Sequence, residues 1–192
     1  GKTYGDKFFR PIFAAAAEYD MPLAVHGAPS RGLGFDHFTD FAGVHALEHP
    51  FPLMINLTDM IFSGLFDTFP TLRIAFLEGG CSWVPFMMDR LDYEYDAIQG
   101  AKMRKRLKKR PSEYIADGDN FWVGVELGEK GLKYAVDAIG SGRIMYASDY
   151  PHEPTQEDLT ADLPDFFADS SYSDAVKADV LHDAAKAFYR LD

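Results

Sequence analysis

Cysteine is nearly absent: Cys81 is the single one in 192 residues. It cannot close an internal disulfide, which excludes a disulfide-stapled scaffold and leads us to expect a reducing, cytoplasmic setting. Long apolar runs are also missing. Ile12–Ala17 is typical, far short of the roughly 20 residues that a membrane span needs. No signal-peptide pattern opens the chain, and position 5 is Gly rather than the Ser or Thr that an N-myristoylated Gly1 calls for. Positive charge is scarce, with 19 Lys and Arg against 30 Asp and Glu and a net charge of −11. Nucleic acid and anionic membranes are therefore poor partners. Seven of the cations crowd into residues 101–110, where a solvated helix end accounts for them. Neither a phosphate loop nor a dinucleotide-binding glycine pattern follows any strand, and no internal repeat, low-complexity tract or linker stands out.

What is present is ordinary globular material, 47% hydrophobic and 26% charged. The chain reads as an alternation of helix and strand. Phe8, Phe9, Ile12, Phe13 and Ala16 mark an amphipathic helix over 6–20. Residues 23–26 read as a buried strand bounded by Gly27, a residue that lets a ligand or another backbone come close. Residues 27–48 hold four glycines and no clean period, so they read as a long loop, a kind of segment often functional. A helix over 52–68, a strand over 72–77, a long helix from Trp83 to about Lys109, a strand over 121–125, a helix over 130–139 and a strand over 143–147 follow. Two or three polar helices finish the chain, with an apolar stripe of Leu181, Ala184, Ala185, Phe188 and Tyr189 on the last.

Strands alternating with helices imply a parallel sheet with helical crossovers, and such sheets gather ligands at the carboxyl ends of their strands. The candidates there are His26, Glu78, Glu126 and Asp149. His26 reads as a metal ligand or as a packed strand-end histidine. Asp149 reads as a ligand that also takes a proton from metal-bound water, or as a cap before Pro151. His152 reads as a substrate or supporting contact, or as a surface residue. Glu78 must be paired or coordinating if buried: a ligand, an acid/base group or the partner of an arginine. Glu126 is a weaker version of the same case. His37, His45 and His49 read as loop residues. His45 and His49 would share a helical face, but Pro50 argues against a stable helix there. Cys81 reads as a small buried residue.

With these residues in view, segments 22–27, 69–85 with 89–92, 143–152 and 180–189 resemble, in order, the C-terminal part of the amidohydrolase-related family of metal-dependent (β/α)₈ barrels. That family includes aminocarboxymuconate-semialdehyde decarboxylase and related benzoate-type decarboxylases and hydrolases. The resemblance implies an α/β fold of TIM-barrel type, with about four parallel strands in residues 1–192. The length, short of the roughly 250 residues of a whole barrel, then reads as a single partial domain, the later half. It also implies a divalent metal, Zn first and Mn or Fe as alternatives, held by His26 at the fifth-strand position and Asp149 at the eighth. Glu78 falls where many members carry a sixth-strand histidine, and the first-strand His-x-His or Glu-x-His pair is absent. Asp149, Glu78 and His152 are the expected catalytic residues, and Arg31 and His37 the expected substrate contacts. The expected activity is hydrolysis or non-oxidative decarboxylation of a small carboxylate- or amide-bearing substrate. A non-catalytic half-barrel or subunit, and a metal-dependent oxygenase of the same fold, are the alternatives. The implied partners are a second copy of the chain or the missing N-terminal half.

Overall fold

A computed structural model describes residues 1–152 and 156–191. Four parallel strands, β1 (Leu23–His26), β2 (Ile74–Leu77), β3 (Phe121–Val125) and β4 (Ile144–Tyr146), pair in sequence order. Ala24 registers with Ala75, Ala75 with Trp122, and Gly124 with Met145. Side chains alternate between two faces of the sheet. One face carries Val25, Ile74, Phe76, Phe121, Val123 and Ile144 into the main core. The other carries Ala75, Trp122 and Met145 into a smaller cluster with Ala184 and Phe188.

The helices explain the larger core. In α1 (Arg10–Glu18) Pro11 occupies the first turn, where its missing N–H costs nothing, and Phe13 and Ala16 are buried one turn apart. The stretch expected as loop 27–48 instead holds a 3₁₀ turn, Phe35–His37, and α2 (Phe41–Glu48). Pro50 does not prevent this helix: it opens α3 (Pro50–Phe62), and His49 keeps right-handed helical backbone at the junction. α3 buries Leu53, Leu57, Met60 and Ile61, the i, i+4, i+7, i+8 stripe of a core helix. It ends at Gly64, whose φ of 72° divides it from the short α4 (Leu65–Thr68). α5 (Trp83–Asp96) stops at the extended Ala97, well before Lys109. α6 (Ala101–Arg106) and α7 (Pro111–Ala116) complete that crossover, the latter capped by the Glu113 carboxylate, which accepts from the Arg110 amide at 2.6 Å.

α8 (Leu132–Ile139) leads to β4, and α9 (Gln156–Ala168), α10 (Asp174–Ala178), a π turn over 179–183 and α11 (Ala184–Tyr189) follow. Phe76 stacks on Phe121 with ring centroids 5.3 Å apart, and Trp83 meets both edge-on. At the amino end of the sheet, Arg73 donates to the Asp20 carboxylate and to its backbone carbonyl, both at 2.8 Å. β1 differs from the expected buried strand: only Val25 is buried, because β1 lies at the sheet edge with one side unpaired. No helix among the described residues is long and apolar enough to cross a membrane.

Candidate metal centre

β1 and β2 lie side by side with His26 opposite Leu77, so Glu78 emerges next to the imidazole. Gly27 decides what joins them. A β-carbon there would lie 2.4 Å from the His49 Cα, so only glycine lets the α2–α3 corner sit over the strand ends. Gly79 does the same on β2, where an added β-carbon would meet Leu53 at 2.6 Å and Pro50 at 3.3 Å. The close backbone approach expected at Gly27 is therefore that of His49.

The result is a compact set of donors. His26 Nε2 lies 2.7 Å from Glu78 Oε2, and His49 Nε2 lies 3.8 Å from the same oxygen. The His26 and His49 rings meet edge-on at 5.4 Å. One ligand atom from each of the three residues falls within 4.8 Å of the other two. His26 Nδ1 donates to the Gly27 carbonyl at 2.5 Å, which leaves Nε2 as the nitrogen that faces the carboxylate. An unprotonated imidazole nitrogen and a carboxylate oxygen at 2.7 Å place two lone pairs against each other. Such a contact requires a proton or a cation between them.

Backbone strain marks the same place. Glu78 (φ 62°) and Asp149 (φ 51°) both adopt left-handed backbone just after their strands, a conformation that costs a non-glycine residue about 1–3 kcal/mol. Glu78, Glu126 and Asp149, at the ends of β2, β3 and β4, line one small pocket with Gly124. Asp149 accepts from His152 Nδ1 at 3.1 Å, and His152 is otherwise exposed. Among the described residues Asp149 belongs to neither of the groups able to surround a cation with three ligands. It faces the site through the pocket it shares with Glu78. Arg31 and His37 stand exposed on the segment after β1, His37 within its 3₁₀ turn.

Two contributors are absent from the strand-end reading, His49 and Glu129. Glu129, after β3, accepts from the Cys81 and Ser82 amides at 3.0 and 2.7 Å and from the Ser82 hydroxyl at 2.5 Å. This anchors the Glu78–Ser82 turn and caps the start of α5. Burial, and then the nearby Glu129 carboxylate, push the Cys81 thiol far above its ordinary range.

Fold and site together define a class: half of a (β/α)₈-type barrel that collects imidazole and carboxylate donors at the carboxyl edge of its sheet. The chain belongs to the Amidohydrolase family, whose model matches residues 1–191. It is 27% identical over 193 residues to 2-amino-3-carboxymuconate-6-semialdehyde decarboxylase of Dictyostelium discoideum, covering 100% of this chain and 51% of that protein. Its structure is similar to that of 5-carboxyvanillate decarboxylase from Sphingomonas paucimobilis, with a TM-score of 0.80 and 30% identity over 100% of this chain and 56% of that one. The 5-carboxyvanillate decarboxylase of Novosphingobium aromaticivorans, solved with manganese and 4-hydroxy-3-methoxy-5-nitrobenzoic acid, matches with a TM-score of 0.76 and 26% identity over 100% and 54% of the two chains. The chain thus spans about half the length of the relatives it matches.

Proposed function

We propose that this chain supplies the strand-end metal site of a metal-dependent, non-oxidative decarboxylase of small aromatic carboxylates. The observation that carries this reading is the convergence of His26, His49 and Glu78, with ligand atoms within 4.8 Å of one another at the carboxyl edge of a parallel sheet. Two imidazoles and a carboxylate suit Zn, Mn or Fe. Manganese in a similar structure supports Mn beside the Zn that the sequence leads us to expect. A bound metal supplies positive charge that polarises a substrate carboxylate or phenolate.

The remaining work falls to this chain's own groups. His26, His49 and Glu78 would hold the metal, with Nδ1 of His26 tied to Gly27 so that Nε2 faces the site. Asp149, with a side chain 24% exposed, serves as a further ligand from the pocket it shares with Glu78. The Asp149–His152 pair carries the proton that replaces the departing carboxylate on the ring carbon. Arg31 and His37 meet the substrate from the segment after β1. Decarboxylation is favoured over hydrolysis because the similar proteins named above are decarboxylases.

A complementary barrel half completes the site. The half-length match supports this, as does the unpaired edge of β1. Along that edge runs an apolar cavity of about 360 Å³, lined in part by Phe9, Ile12, Leu23 and Val25. A second copy of the chain is the alternative occupant. The test is CO₂ release from hydroxybenzoates by the Mn- or Zn-loaded protein, with the first half of the barrel supplied or restored. Metal-dependent turnover that disappears in His26→Ala is expected. Full turnover in His26→Ala, or none in the completed and loaded protein, contradicts the reading.

A further inference from the structure

A second group of donors lies on α2, next to the strand-end cluster. His45, Glu48 and His49 present one ligand atom each within 4.8 Å of one another. The sequence spacing produces this directly. Residues i, i+3 and i+4 share one helical face, and His49 stays in right-handed helical backbone although the helix formally ends at Glu48. Two histidines four apart with a glutamate beside the second is a spacing that zinc-binding helices use.

An independent observation points to a ligand. The Glu48 side chain is only 9% exposed, and its ion-pair contact is His45 Nε2 at 3.9 Å, beyond hydrogen-bond reach. No other polar partner of this carboxylate is found among the described residues. The Glu48 oxygens are not among the buried side-chain atoms that lack a partner, so they keep contact with water, and a cation bound at this face would take that water's place beside a largely buried side chain. The adjoining imidazoles lie within reach of the same ion, with the His45 and His49 rings 5.5 Å apart and edge-on.

We propose that this face of α2 is a second divalent-cation site, held by His45, Glu48 and His49. His49 stands between it and the strand-end cluster. The strand-end cluster keeps His26 and Glu78 when His49 turns to the second ion. The proposal does not depend on decarboxylase activity.

The test is calorimetric titration of the full chain with Zn²⁺ and Mn²⁺, joined to thermal unfolding with and without metal. Wild-type protein is expected to bind two equivalents. Glu48→Gln and His45→Ala are each expected to bind one, and His26→Ala to lose the other. Glu48→Gln preserves volume, so its apo form should fold and melt at least as high as the wild type, while gaining less from added metal. Unchanged stoichiometry in both α2 variants overturns the proposal, as does a single wild-type equivalent that is lost in His26→Ala and kept in Glu48→Gln. Loss of one equivalent in Glu48→Gln together with no loss in His26→Ala leaves this site standing and removes the strand-end site instead.

Discussion

At the scale of single residues, the site depends on positions that carry no chemistry of their own. Gly27 has no side chain, yet it admits His49 to the strand ends. Gly27→Ala should displace the α2–α3 corner and weaken metal binding about 10–100-fold, the usual effect of disturbing groups that support metal ligands. Calorimetric titration of folded Gly27→Ala checks this, and wild-type affinity there would show that the corner is dispensable. Cys81 is the opposite case, chemically capable but silenced. Its thiol is fully buried and pushed upward by burial and Glu129, so it stays protonated and should resist a thiol reagent at pH 8 until the protein unfolds. The folded state holds this proton more tightly than the unfolded chain does. The thiol's contribution to stability is therefore complete below the ordinary thiol range and is lost as pH rises beyond it. Denaturant midpoints measured from pH 7 to 10 should fall on the alkaline side, and less so in Cys81→Ala.

At the scale of elements, aromatic stacking of Phe76 on Phe121 holds β2 and β3 under the crossover helices. Phe76→Ala, at a fully buried position, should destabilise the fold by about 3–5 kcal/mol, read as a lowered denaturant midpoint at unchanged slope. Strands were the most legible elements: β1 and β3 occupy the residues that their apolar runs mark. Helix ends were less so. Apolar spacing records which side chains turn inward, and it is blind to the left-handed Gly64 or the extended Ala97 that divide two long helical stretches. α2 was hidden for a different reason. Its sequence has no clean period, and the proline that reads as a stop for α2 serves as the start of α3. His49 went unseen with it, because the fold brings it to His26 and Glu78 from a distant part of the chain, while local spacing pairs it only with His45. Strand ends were enough to reveal His26, Glu78 and Asp149 as candidates; the partners that a helical corner supplies were not readable from them.

At the scale of the whole molecule, the four parallel strands leave β1 and β4 as edges without a partner strand among the described residues, and open edges invite pairing. The matched relatives are about twice as long, and Ile12 and Met21 remain more than half exposed near the β1 edge. Both are grounds for the proposal that a complementary barrel half completes the site. Arg73 and Arg190, meanwhile, converge on Asp20 at the opposite end of the sheet, so ion pairs tie the amino end while the carboxyl end carries the candidate metal ligands. The central proposal is that this carboxyl end binds a divalent metal. Its most direct measurement is metal titration of wild-type, His26→Ala and Glu78→Gln chains, each confirmed folded. One equivalent of Zn²⁺ or Mn²⁺ should disappear in both variants; identical stoichiometry and affinity in all three would contradict the account.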